Sequence, residues 1–479
     1  MAGRAPDPAP ARASPEQRLL TGWGRTAPTL AAVERPRSAE DVAVALAAAG
    51  RGRGAIARGL GRAYGDAAQN AGGTVLGMGD LAGVHRFDSE RGEIDLDAGV
   101  SLDALIRLVL PFGWFVSVSP GTRFVSVGGA IAADIHGKNH HRDGSFCDHV
   151  ERFTLLTPGG EHLDVRPASD PDAFWATAGG MGLTGVVVRA TLRLLRVETG
   201  QMRVDTERTR DLDDVLARMD ARDEEYRYSV AWIDCLARGR ALGRSVLMRG
   251  DHATLGDLDE GKRSRALLVA SSTPLGAPSW VPSGLLGKAT VTVFNELFYR
   301  KAPREERGRI EPLNSFFYPL DSVRGWNRLY GPRGFLQYQF VVPFGAEGAL
   351  REALERLSRA GAPSFLAVLK RFGPQRGLIS FPMPGWTLAL DIPAGLPGLA
   401  ALLDGLDELV ADAGGRVYLA KDSRLRPELL ATMYPRLAQW REVRARLDPE
   451  GVMRSDLGRR LGLAGRSTAS AVSPVQAAA

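Results

Sequence analysis

The stretch GGAIAADIHGKNHH, residues 128–141, sets His136, Lys138, His140 and His141 directly behind a small-residue apolar run, and His149 follows closely. The whole chain has only seven histidines. Imidazoles gathered in this way can ligate a metal, act as a base, or anchor a cofactor. His136 and His140 have the i, i+4 spacing of paired ligands, and Asp134 and Asp143 lie within reach in sequence. Gly137 interrupts that spacing, however, and no HExxH glutamate accompanies it, so no metal is expected. A core histidine at 136 and a solvated polar loop over 138–141 are the plainer alternatives.

The elements that must position such groups are punctuated by glycine. GLGRAYGD, Gly59 to Asp66, could turn backbone N–H groups toward a phosphate without Cβ interference, although it could equally be a structural turn. It lacks the G-x-G-x-x-G spacing of a Rossmann fingerprint. A second site, SPGTRFVSVGGAIAADIHG, brackets a short strand with Pro120-Gly121 and Gly128-Gly129, and its small residues let a flat ring lie against the backbone. Around these loops, RPRSAEDVAVALAAAG predicts a helix with Ser38 as N-cap, Asp41 at N3 and Gly50 as stop. GAIARG, GTVLGM and GEIDLDAG read as strands, SLDALIRLVLPFG as an amphipathic helix, and FTLLTPGGEHLDV as a hairpin turning at Pro158-Gly159-Gly160. TGVVVRATLRLLRV reads as a strand pair. Beyond about residue 197, strands such as YRYSVAWIDCL and GFLQYQFVVPF alternate with helices such as EGALREALERLSRAG, the pattern of an antiparallel sheet with helices on one face. GGRVYLAKDSR then predicts a strand leading into one helix, PELLATMYPRLAQWREVRARLDP.

At 479 residues, with 44% hydrophobic and 24% charged, the chain is a globular protein of more than one domain. Its net charge of +6 is spread as scattered Arg, with no basic run, so nucleic acid is not an expected partner. Cys147 and Cys235 form no CxxC and no disulfide framework. The N-terminus has no apolar core of a signal peptide, and no window is long enough to span a membrane. From Ala266 to Asn295 the only charge is Lys288, with Pro274, Pro278 and Pro282 breaking any helix. That stretch is either a buried strand-and-turn segment or a flap for a greasy ligand or membrane surface.

The ordered series RPRSAEDV, RGLGRAYGD, LDAGVSLDAL, PGTRFVSVGGAIAADIHG and FWATAGGMGLTGVV resembles the FAD-binding domain of the vanillyl-alcohol-oxidase (PCMH-type) superfamily. More narrowly, LTGWGRTAP, IHGKNHH, FLQYQFVVP, FPMPGW and YLAKDSR resemble the flavoprotein oxidase subunits of decaprenylphosphoryl-β-D-ribose 2'-epimerases, from about Leu20 to Leu463. The resemblance implies an α+β chain with a PCMH-type FAD-binding fold of two α/β subdomains. A substrate domain of antiparallel sheet and flanking helices completes it. The expected division is a disordered tail over 1–19, an FAD-binding domain over 20–196 and a substrate domain over 197–413. A segment over 414–463 then returns to the FAD domain, and a second disordered tail covers 464–479.

It further implies FAD bound non-covalently and oxidation of the ribose 2'-hydroxyl of a polyprenyl-phosphate ribose. A separate NADH-dependent reductase would take the 2'-keto product. A peripheral place on the cytoplasmic or periplasmic face of the plasma membrane would follow. Arg58, Gly59, Gly61, Arg62, Ala63 and Tyr64 would hold the pyrophosphate and ribityl chain. Gly121, Thr122, Val127, Gly128, Gly129 and Ala130 would lie along the flavin. Gly182, Gly185 and Val187 would finish the adenine side, and Tyr418 would touch the flavin. His136, near the position where some relatives attach flavin covalently, is expected to line the site and act in catalysis. Lys421 is the main catalytic candidate: it would donate to the substrate oxygen and to the flavin's pyrimidine edge, unless it is simply an exposed partner of Asp422. Gln337 and Gln339, at period two on one strand, would face the sugar hydroxyls. Lys138, Trp232 and Lys370 match further substrate positions. In PGWTLALDIP, Ala389 stands where family members carry the cysteine attacked by nitroaromatic inhibitors, and Thr387 where they carry asparagine. In SFFYPLD the family's tyrosine falls at Phe317, with Tyr318 beside it. The competing functions are an FAD-dependent oxidase of a soluble sugar or alditol, a flavin-carrying scaffold without chemistry of its own, and a metallohydrolase.

Overall fold

The computed structural model describes residues 15–464 apart from 269–274, 279 and 283. Three main sheets organise them. The first has the order Glu16–Leu20, Thr29–Glu34, Thr74–Gly77, Ala55–Arg58. Its last three strands are parallel, which requires a crossover, and helix Ala39–Ala49 supplies it. Ser38 caps that helix by accepting from the Asp41 N–H at 3.1 Å, and Gly50 ends it, as the sequence predicts. The expected N-terminal tail is shorter than residue 19, because Glu16–Leu20 pairs antiparallel with Thr29–Glu34. Residues 1–14 and 465–479 of the two expected tails lie outside the described residues.

The second sheet is antiparallel and centres on Val186–Arg196. The expected strand pair in TGVVVRATLRLLRV is this one 11-residue strand, since no turn residue follows Gly185 to fold it back. Glu93–Asp97 and Val150–Leu156 flank it, and Trp114–Val116 pairs with its far end. The Pro158-Gly159-Gly160 hairpin forms, with Gly160 at φ 88° and its N–H on the Thr157 carbonyl at 2.9 Å.

The third sheet has eight strands, ordered Glu305–Pro312, Gln201–Thr209, Ser245–His252, Tyr228–Ile233, Ala367–Phe372, Gly385–Pro393, Phe335–Pro343, Arg416–Val417, with every pair antiparallel. Helices Leu212–Arg222, Glu347–Ala360 and Leu399–Asp412 press Val215, Leu350, Leu354, Leu403 and Leu406 onto one face, against Phe340, Leu388 and Leu390. Each fully buried leucine there contributes about 1.5–3 kcal/mol of transfer free energy. Period-two alternation therefore commits the even-numbered side chains of Phe335–Pro343 and Gly385–Pro393 to the helices, and the odd-numbered ones to the opposite face. Tyr338 marks the helix side by donating to Asp407 Oδ1 at 2.9 Å.

The single helix expected after YLAKDSR is two, Pro427–Met433 and Leu437–Leu447, because Tyr434 precedes Pro435 and leaves the helical region. The chain then returns to the first sheet, where Ala55 exchanges backbone hydrogen bonds with Val452 and Arg454 at 2.9 and 2.8 Å. The apolar stretch 266–295 is partly outside the described residues. Among its described residues, helix Lys288–Lys301 begins after the three prolines of the sequence.

Candidate active site

Between the glycine loops and the face of the eight-stranded sheet opposite these three helices lies a cavity of about 640 Å³. One wall is backbone. Gly59, Gly61, Arg62, Ala63 and Tyr64 enter it from the loop after Ala55–Arg58, and Gly121, Thr122, Gly128 and Gly129 from the second glycine site. Gly182, Gly185 and Val187 complete it ahead of and within the long central strand. Close approach explains the glycines of the first loop. A Cβ on Gly59 would lie 2.0 Å from Ser126 Oγ, and one on Gly65 only 1.8 Å from the Asp422 carbonyl oxygen. The Tyr64 N–H donates to the Ala420 carbonyl at 3.0 Å, so the first glycine loop is strapped to the turn that carries Lys421. Arg62 stacks its guanidinium 3.8 Å from the Trp23 ring centre and leaves Nε buried without a partner.

The other wall is side chain, set by strand register. Trp232 pairs with Val368, Val368 with Ala389, and Ala389 with Gln339, one row across four strands, all lining the cavity. The Gln339 carbonyl accepts from the Tyr418 N–H at 2.9 Å, which attaches the Tyr418–Lys421 turn to the end of that row. Lys370 and Gln337 line the cavity from neighbouring rows, and Lys138, His136 and Lys421 reach it from loops. Tyr418 donates to the Ala133 carbonyl at 2.9 Å and packs 5.1 Å from the His136 ring.

The charges at this end are cationic and desolvated. Burial holds Lys421 down to about 8 against the pull of Asp391, and holds Lys370 and Lys138 down to about 7. Lys138 donates to the Phe316 carbonyl and lies 4.0 Å from the Phe316 ring centre, with Glu311 as the countering carboxylate. His136 is neutral, pushed well below its usual value by burial and then by Lys370 and Lys421. Its Nε2 accepts from the Gln339 amide at 3.0 Å, which places the proton on Nδ1, a buried atom with no partner. Asp134, held at φ 38° and raised to about 6 by burial, ties the segment before His136 to Ser380 and Cys147.

The other histidines are committed elsewhere. His140 accepts from the Gly373 N–H at 3.1 Å and bonds Ser145 at the same distance, while His141 and His149 donate to backbone carbonyls. Among the described residues no group of three His, Cys, Asp or Glu side chains could hold a metal ion.

Four expected site residues do not reach the cavity. Arg58 turns inward and donates to the carbonyls of Thr21 and Ala68, clamping the loop. Val127 and Ala130 are fully buried in the short helix beneath Gly128 and Gly129. Thr387 lies behind Gln339, accepting from its amide at 3.1 Å and donating to the Phe340 carbonyl. At SFFYPLD, Phe317 lines the cavity, whereas Tyr318 turns away to bond Ser119 at 2.6 Å. Residues that sequence reading missed include Phe294, Phe298 and Phe365, which line the cavity, and Asp391 behind Gln337. Asp391 had a signal: it is the one charge in the apolar run WTLALDIP, where a core strand tolerates none without a reason.

A glycine cradle beside orphaned buried polar atoms at Arg62, His136 and Gln339 fits a flat, phosphate-bearing cofactor. Residues 30–166 match the FAD binding domain family, and residues 398–461 match the D-arabinono-1,4-lactone oxidase family. The decaprenylphosphoryl-β-D-ribose oxidase of Mycolicibacterium smegmatis is 46% identical over 449 residues, 93% of this chain and 97% of that one. The chain belongs to the decaprenylphosphoryl-β-D-ribose oxidase family. It is an FAD-dependent oxidoreductase with the mixed α+β fold of PCMH-type flavoproteins. An uncharacterised protein of Streptomyces coelicolor is 45% identical over 76% of this chain and all of its own length. The L-gulonolactone oxidase of Bos taurus is similar only over 25% of this chain and 27% of its own. No described helix is long and apolar enough to cross a membrane.

Proposed function

We propose that this oxidase removes hydrogen from the ribose 2'-hydroxyl carbon of decaprenylphosphoryl-β-D-ribose, giving the 2'-keto sugar. That is the first half of epimerisation to the arabinose form used for cell-wall arabinan. The observation that carries the lipid-linked reading is the cavity's polarity gradient. Its inner wall bears Lys421, Lys370, Gln337 and Gln339, whereas Phe294 and Phe298 wall it from helix Lys288–Lys301 while remaining 43% and 36% exposed. Val293 and Leu297 continue that apolar face at 60% and 64% exposure, flanked by exposed Lys288, Arg300 and Lys301. A sugar alone has no use for such a surface; a polyprenyl chain and an anionic membrane surface have.

Bound FAD supplies the two-electron acceptor for the C–H hydride. The backbone wall would hold its phosphates and ring, without a covalent link to His136. Lys421 Nζ, lowered to about 8 by burial so that a neutral amine is available, would accept the hydroxyl proton as the hydride leaves. Lys370 and Lys138 set a cationic field that favours negative charge developing at that end. Gln339 is oriented by Thr387 and His136, so its free Oε1 is left for a sugar hydroxyl. An NADH-dependent reductase would consume the ketone, and the enzyme would sit peripherally on one face of the plasma membrane. The division into 20–196, 197–413 and 414–463 belongs to the same reading.

Anaerobic mixing with the polyprenyl-phosphoribose should bleach the flavin absorbance with no partner protein present. Equal bleaching by free sugars or alditols would favour the soluble-substrate alternative, and none at all would favour a scaffold. Acid precipitation should release the flavin into the supernatant; a yellow pellet would contradict non-covalent binding.

A further inference from the structure

Gln337 and Asp391 face each other directly across strands Phe335–Pro343 and Gly385–Pro393. The Gln337 amide nitrogen donates to Asp391 Oδ1, and its carbonyl Oε1 accepts from Lys421 Nζ. One amide is thus held between a carboxylate and an ammonium. Asp391 is fully buried and its Oδ2 has no hydrogen-bond partner, although the Tyr330 hydroxyl is buried nearby and is also unpartnered. A carboxylate kept only for packing would be expected to satisfy both oxygens, because each bare one is costly in the core. Asp391 makes its one side-chain bond to the residue whose far end holds Lys421.

The surroundings make that bond informative. Lys421 is faced by Lys370 from strand Ala367–Phe372, by His136 from the loop after helix Val127–Ala132, and by the Tyr64 ring 5.0 Å away. Asp391 is faced by Tyr64 and Tyr330. Of the charged groups that act on Lys421 through these elements, Asp391 is the anion. Without it, Gln337 could present its NH₂ to the lysine, donor against donor, and nothing would oppose the neighbouring cation.

We infer that Asp391 is a positioning residue for the oxidation: it fixes which end of the Gln337 amide meets Lys421 and supplies the counter-charge for the Lys421 ammonium. The inference rests on the role given to Lys421 above.

The test compares wild-type, D391N, D391E and K421A holoenzymes by FAD content and by the pH dependence of kcat and KM on the polyprenyl-phosphoribose. D391N keeps the shape and removes the charge. It should retain FAD, change KM by less than about threefold, and lower kcat about tenfold as a charge-assisted contact is lost. The limb of the profile near pH 8 should move to lower pH by about one unit, because loss of the anion disfavours the ammonium. D391E, which restores the charge, should return the limb toward its wild-type position. Wild-type kcat and an unmoved limb in D391N would overturn the inference. An active K421A would instead overturn the assignment of Lys421, whatever Asp391 does. If D391N fails to fold as a flavoprotein, Q337M cuts the same bridge. A kcat loss with KM held supports positioning, a loss confined to KM marks Gln337 as a substrate contact only, and wild-type kinetics overturn the bridge.

Discussion

The wall made by residues 59–64 and 121–129 is rich in glycine, while the wall made by strands Ala367–Phe372, Gly385–Pro393 and Phe335–Pro343 meets the cavity with larger side chains. In the first, added atoms collide in the loop after Ala55–Arg58: the space a Cβ would need at Gly59 or Gly65 is already filled by Ser126 or by the Asp422 carbonyl, although Gly121 has room. In the second, the ladder holds the backbone whatever the side chain, so substitution changes chemistry before it changes shape. In the proposed reading, a cofactor common to many oxidoreductases would be met by the less tolerant wall, and the substrate by the adaptable one. Ala389 illustrates the second case. It occupies a cavity position where the family resemblance implies cysteine, and it sits in register between Val368 and Gln339.

The contrast should break first at Gly65. G65V would drive its side chain into the Lys421 turn, so purified protein should carry little or no FAD, read as the flavin-to-protein absorbance ratio. Full FAD occupancy would mean that the backbone wall is looser than its geometry. Next comes Lys421, on the turn that joins both walls. K421A should keep FAD yet lose turnover by about 10²–10³-fold, the scale for removing one electrostatic contact to developing charge.

A smaller effect is expected at Lys370, which burial holds at about 7 against 10.5 unperturbed. A group whose folded-state affinity for protons is depressed costs stability while it is charged. That cost is full below pH 7 and fades as pH rises toward 10.5. K370M should therefore melt above wild type by a few degrees at low pH, and the gain should shrink through that interval. A gain that grew with pH would contradict the sign. The smallest change concerns Ala389. Incubated with a nitroaromatic inhibitor of the family under turnover, wild type should show no adduct by intact mass, whereas A389C should gain one.

Much of the backbone wall was legible because its signals are local. A glycine turn, the Ser38 cap and the hairpin at Gly159-Gly160 depend on residues a few positions apart. The identical facing of Gln337 and Gln339 follows from strand period alone. Signals that needed distant partners failed. Arg58 was read toward the phosphates, but the carbonyls of Thr21 and Ala68 capture it; Thr387 was read into the pocket, but Gln339 stands in front of it. The long strand was read as two, and the last helix as one, because turn and breaker residues there were misjudged.

Family and cofactor were already determined by the sequence, and Lys421 was already its main catalytic candidate, since these rest on residue types in order along the chain. Only tertiary structure brought Lys138, Lys370 and Lys421 to one cavity, lowered their proton affinity, and tied Asp391 to Lys421 through Gln337. These are effects of desolvation and through-space charge, and neither exists until strands and loops far apart in the chain have packed and excluded water.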